Sequence, residues 1–207
     1  MRDKEESVMV QDLVIQLPKP VVAGKISLEE AISKRRSQRA FAPKELTVEQ
    51  IGQLLWAAQG VTAEKNGHGL RSVPSGGALY PLEIYAVTKS GIFHYVSLGH
   101  QLEKKADKDY RRNLTEAALG QDSITQAPLS IVICAVYSRI SKKYDQRGIR
   151  YADMEAGHAA QNIHLQAAAL GLGSVPVGAF SDQRIKSVLS LPDECAPLYI
   201  IPVGFIK

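Results

Sequence analysis

Cysteine is scarce in this chain, with only Cys134 and Cys195 among 207 residues. Neither belongs to a Cys-x-x-Cys or Cys/His set, so no metal site, dithiol redox motif or disulfide scaffold is expected. Cys134 sits inside the apolar run 131–136 and reads as a buried small hydrophobe. Long apolar runs are missing too. The longest, 129–137, is broken by Ser130 and falls short of the roughly 18 residues a membrane helix needs. The start, MRDKEESVMVQDL, has neither the apolar stretch nor the small-residue cleavage site of a signal peptide, so a cytoplasmic chain is expected. A large charge excess is also absent. Lys plus Arg is 25 against 21 acids, a net charge of +4, which does not call for nucleic acid. No internal repeat or low-complexity linker interrupts the chain.

What is present is ordinary for a soluble globular protein: 45% hydrophobic and 22% charged residues. At this length about 70% of the unfolded chain's surface can be buried, enough for a sizeable core. Residues 1–26, charged and then extended around Pro18 and Pro20, read as an N-terminal arm. Residues 27–207 read as a single domain.

Ser27 with Glu30 and Thr47 with Gln50 are capping boxes, opening helices at about 28–35 and 48–59. The stretch 61–77 reads as a loop. Alternation over 82–88, the Ser90-Gly91 turn and 92–96 give a β-hairpin. Residues 110–119 read as a helix, and 102–108 as a further helical candidate whose basic residues face water. The run 129–137 reads as a central strand. The longest helix is 149–170, where Ala152, Ala156, Ala159, Ile163 and Ala167 recur every three or four residues. Its alanines would let another helix, or a second subunit, come close. An extended stretch 174–180, a helix 182–189 and a strand 198–204 complete the chain. Helices and strands mix without a βαβ rhythm, and the best-marked strands form a hairpin. The class is therefore α+β with a mainly antiparallel sheet.

Several constellations could carry chemistry. Arg35-Arg36-Ser37-Gln38-Arg39 gathers three guanidinium forks and a hydroxyl, suited to phosphate oxygens or, more blandly, to a solvated basic helix end. The segment 71–81, RSVPSGGALYP, could let a flat ligand touch backbone at its glycines, or could simply turn into the next strand. The glycines of 171–178 lack the spacing and context of a dinucleotide fingerprint. Lys143-Tyr144 could move protons, or be a polar loop before the long helix. His158 and His164 lack metal-ligand spacing and read as packing or polar-face residues.

RRSQRAF at 35–41 resembles the opening signature of the FMN-dependent nitroreductase-like family. PSGGALYPLEIYAV at 74–87, the stretch 143–180 and PLYIIPVG at 197–204 resemble its SagB-type, or azoline, dehydrogenase branch. The likeness runs in order from about Leu17 to Gly204. It implies a nitroreductase-like fold with the long helix at the interface of a homodimer, and FMN between the subunits. Arg35, Arg36 and Ser37 match residues that hold the FMN phosphate and ribityl chain. Arg39 matches a cation beside the flavin pyrimidine. Pro74, Ser75 and Gly76 match the loop the partner contributes, and Pro176, Val177 and Gly178 match backbone facing flavin N5. Lys207 falls where relatives carry a late basic residue for the phosphate.

The activity so implied is an oxidoreductase working by two hydride transfers, with NAD(P)H as donor and nitro, quinone-like or related small molecules as acceptors. The alternative is azoline-type dehydrogenation of a heterocycle, in which Lys143 and Tyr144 match a proton-removing catalytic pair. A non-catalytic flavin- or anion-binding module is the competing class.

Overall fold

The computed structural model describes residues 14–65 and 67–207. A short strand, β1 (Val14–Gln16), precedes α1 (Leu28–Lys34) and α2 (Val48–Gln59). The hairpin β2 (Val61–Lys65) and β3 (His68–Arg71) leads to the strands β4 (Leu82–Thr88), β5 (Gly91–Val96) and β6 (Gln101–Ala106). Then come α3 (Arg111–Ala117), α4 (Ser123–Gln126), β7 (Leu129–Val136), α5 (Tyr137–Tyr144) and α6 (Gln146–Ala169). The chain ends with β8 (Leu172–Ser174), α7 (Asp182–Leu189) and β9 (Cys195–Phe205).

Seven strands form one sheet in the order β1-β6-β5-β4-β7-β9-β8, every pair antiparallel. Alternation along the strands fills two cores. Ile84, Ile131, Ile133 and Ile201 face α2 and α6, while Tyr85, Val87, Val132 and Ile200 face α3, α4 and α7. The expected α+β class and mainly antiparallel sheet are what the chain forms.

Of the two expected capping boxes, Thr47 and Gln50 satisfy each other's backbone N–H groups, whereas at Ser27 only half forms: Ser27 Oγ accepts from Glu30 N while the Glu30 carboxylate pairs with Lys34. Cys134 and Cys195 are buried free thiols. No helix among the described residues is long and apolar enough to cross a membrane.

Some expectations fail for local reasons. The 102–108 stretch is the strand β6, not a helix. Leu102 is its one buried side chain, so its own pattern is weak, and pairing with β5 and β1 decides its form. The 61–77 loop holds the β2–β3 hairpin, for which Asn66-Gly67 is a turn signal. Lys143 and Tyr144 end the helix α5, which only Ile140 anchors by full burial. The arm's first residues lie outside the described ones. From Val14 it is tied down rather than free: β1 pairs β6, Leu17 is buried, and Val21 exchanges backbone hydrogen bonds with the Gln53 amide at 2.8 and 2.9 Å.

The alanines of α6 also face otherwise than a subunit contact would need. Ala152, Ala156, Ala159 and Ala167 are buried against this chain's own core. The outward face carries Arg150, Met154, Gly157, His158 and Gln161 instead.

Candidate functional site

The segment 35–41 leaves α1 at Arg35 and is laid along the sheet's end. Ser37 bridges Ser174 in parallel, Gln38 N donates to Ser174 O at 3.0 Å, and Ala42 N donates to Phe205 O at 2.9 Å. Gly173 makes this approach possible, because a Cβ there would lie 2.7 Å from Gln38 Cβ. Lys207 N donates to Ala40 O at 3.4 Å, so the last residue comes beside the arginine segment. Beyond Ser174 the chain continues along β9. Val177 is buried and exchanges hydrogen bonds with Ile200 at 2.8 and 2.9 Å, while Pro176 and Gly178 are exposed. Arg35, Arg36, Ser37, Arg39, Pro176, Val177, Gly178 and Lys207 thus share one edge. Among the described residues, none of the three arginines has an acidic partner within 4.0 Å. Arg36 Nη1 donates to the Ser33 and Arg35 carbonyls at 3.0 and 2.7 Å, but with no carboxylate on any of the three guanidiniums their charge suits a phosphate.

A second assembly lies at the N-terminal end of α6. Asn162 Nδ2 donates to Ala57 O at 3.1 Å, and Ser72 Oγ to the same carbonyl at 3.0 Å, fixing the start of the 72–81 loop. Ser75 Oγ accepts from Tyr80 N at 2.9 Å. Gly77, Ala78 and Tyr80 all have positive φ, at 65°, 54° and 46°. For alanine and tyrosine that conformation is strained, which is common at ligand sites. A Cβ on Gly77 would stand 2.9 Å from Tyr144 Oη and 3.1 Å from Lys143 Nζ. The two residues at the end of α5 therefore close over the glycines. Tyr144 is held edge-on to Tyr151 of α6, with ring centroids 5.2 Å apart. Gly148 permits this tight turn from α5 into α6, since a Cβ there would come within 2.9 Å of the Ser141 backbone.

Beneath the loop is a buried chain of polar groups that the sequence reading missed. Arg71 Nη1 donates to Gln59 Oε1 at 3.0 Å, and Gln59 Nε2 donates to Glu155 Oε1 at 3.3 Å. Burial pushes the Glu155 carboxyl above its ordinary value, against the pull of Ser75, Gln59 and Arg71. Arg71 also stacks over the Tyr80 ring at 4.5 Å. A glutamate set in the alanine stripe of α6 was the available signal.

Within one chain these two assemblies do not meet. Gly76 lies against Tyr151, whereas the arginine segment lies near His164. Those positions are about 20 Å apart along α6 at 1.5 Å per residue.

The nitroreductase family model matches residues 32–205, and the chain belongs to that family of oxidoreductases. It is 40% identical over 202 residues to a Methanocaldococcus jannaschii protein named as a candidate nitroreductase, MJ1384, covering 95% of this chain and 98% of that one. It is 23% identical over 189 residues to the FMN reductase [NAD(P)H] of Bacillus subtilis, covering 84% of this chain and 64% of that one. A crystal structure of a candidate nitroreductase from Ralstonia eutropha superposes with a TM-score of 0.84 at 29% identity, covering 94% of this chain and 90% of that one. The Escherichia coli microcin synthetase McbBCD complex, with truncated pro-MccB17 bound, contains a chain that superposes at 0.74 and 26% identity, covering 99% of this chain and 79% of that one.

Proposed function

We propose that the chain is an FMN-dependent oxidoreductase acting as a homodimer, with the flavin held between subunits. The observation that carries this reading is the splice of 35–41 onto β8 and β9, which brings arginines without carboxylate partners, Lys207 and the exposed Pro176 and Gly178 to one edge. Arg35, Arg36, Ser37 and Lys207 would hold the phosphate and ribityl chain. Arg39 would lie by the pyrimidine, where a fixed cation favours the reduced flavin. FMN held there would supply the hydride chemistry that links NAD(P)H to a nitro, quinone-like or related small acceptor.

The separation of the two assemblies along α6 supports the dimer. A loop 20 Å or so from the arginines of its own chain can reach those of a second copy. Leu28 and Ile32 on α1 and Met154 on α6 are 61%, 54% and 47% exposed, apolar surface that a second copy would cover. Pro74, Ser75 and Gly76 would then be the partner's contribution to each site.

A second reading is favoured by the placement of Lys143 and Tyr144 over Gly77. The lysine and tyrosine side chains that converge on this backbone would serve as the proton-accepting pair as a heterocycle is oxidised, one of them entering the step as its free base. The chain's likeness to one in the microcin synthetase complex with truncated pro-MccB17 bound is a reason to test such a substrate.

The test begins with purified protein. Mass analysis of the released cofactor should give FMN, and NAD(P)H consumption should depend on a nitro or quinone acceptor. Release of FAD, or a colourless protein that takes up no FMN, would overturn the reading.

A further inference from the structure

A cavity of about 200 Å³ lies between the end of α1, the 35–39 segment and the C-terminal half of α6. Lys34, Arg35, Arg36 and Gln38 line one side, His164 and Ser174 the other, and no carboxylate lines it. The space is many times what one water needs.

His164 is the unusual member. It is 4% exposed, yet only one of its ring nitrogens is partnered. Nδ1 lies 2.7 Å from Ser174 Oγ, while Nε2 is buried without a partner among the described residues. An unpartnered buried polar atom is costly, so it points to a missing ligand. The chemistry of that ligand follows from the hydrogen bonds. A neutral imidazole has one donor and one acceptor nitrogen. Burial, and then the Arg35 charge, hold the His164 pKa down at about 4, so the ring is neutral near pH 7. If Ser174 donates to Nδ1, the hydrogen sits on Nε2. That N–H stands among guanidiniums, which are donors only and cannot accept it. An anion satisfies all of them together.

We propose that His164 is a direct ligand of the FMN phosphate, donating from Nε2 to a phosphate oxygen beside Arg35 and Arg36. The proposal rests on the FMN reading above, and its test separates the two.

The full chain is stripped of flavin and titrated with FMN and, separately, with riboflavin, which lacks the phosphate. His164→Asn keeps a polar atom where Nδ1 meets Ser174 but cannot reach the Nε2 position. His164→Gln places an amide there. His164→Asn should lose about tenfold to a hundredfold in FMN affinity, as expected for one hydrogen bond to a charged group. Its riboflavin affinity should not change, and His164→Gln should lie between it and the unaltered chain. Equal changes for FMN and riboflavin in both variants would overturn the proposal and leave His164 a purely structural residue. If the unaltered chain binds FMN no better than riboflavin, the phosphate reading falls first and takes this ligand with it.

Discussion

At the residue scale, Lys143, Tyr144 and His164 have roles that can be separated. Lys143 and Tyr144 stand over Gly77, away from the arginine edge. Changing them to alanine and phenylalanine should leave flavin content and NAD(P)H oxidation largely intact. Oxidation of an azoline substrate, if the chain performs it, should fall roughly 10²- to 10⁴-fold, the usual contribution of a positioned acid or base. Loss of flavin from that double variant, read by its absorbance, would show that the pair holds the loop instead. Arg39→Ala should weaken flavin retention or lower the flavin potential, impairing every half-reaction; a spectroelectrochemical titration checks it. His164 gives a pH signature. Its pKa is held at about 4 in the fold against an ordinary 6.5. Between those values the unfolded chain takes up a proton that the native chain refuses. Stability from this group is therefore present above pH 6.5 and lost as pH falls toward 4. The flavin-free chain should melt progressively lower over that window, and His164→Asn should show a shallower decline.

At the element scale, the site depends on how the 35–41 segment and α6 are seated. Gly173 is the contact between that segment and β8. Gly173→Ala would put a methyl group 2.7 Å from Gln38 Cβ, which is backbone-proximal and cannot swing aside. We expect the segment to lift, with reduced FMN content but an unchanged far-ultraviolet circular dichroism spectrum. The same elements show what the sequence discloses. The helix α2 was legible because its period and its capping box agree, and α6 because its alanine period is long, although no side chain caps its N-terminus and it starts three residues earlier than its stripe suggests. The arginine segment stands out in the sequence too, with three guanidiniums within five residues, but a solvated helix end fits that composition as well as a phosphate site does. The strand β6 was not legible, since its form comes from two neighbours distant in sequence. Nor was the direction of the α6 alanines, because small residues fit a core and a subunit contact equally well. In the sequence His164 reads as a packing or polar-face residue. Its burial agrees with that, and only the three-dimensional neighbourhood shows that one of its nitrogens is left over. Glu155 was hidden in the same way, its partners Gln59 and Arg71 lying on other elements.

At the scale of the whole molecule, the question is whether one chain can complete a site. Its two candidate assemblies lie against different turns of α6, about 20 Å apart between Tyr151 and His164. A two-fold dimer would bring the loop of each copy to the arginines of the other and make two equivalent composite sites. That geometry predicts complementation. One variant carries Arg39→Ala. The other carries Gly77→Val, which forces a branched side chain onto a backbone at φ 65° and against Tyr144. Each should be nearly inactive alone. In a mixed dimer, one site combines both lesions, whereas the other combines the intact arginine segment of one chain with the intact loop of its partner. Co-refolding the two should therefore restore activity to about a quarter of the unaltered level: random pairing makes about half the dimers mixed, each with one sound site. If each site were built within one chain, every site in the mixture would carry one lesion and no activity would return. NAD(P)H consumption by the refolded mixture, compared with each variant refolded alone, decides between these arrangements.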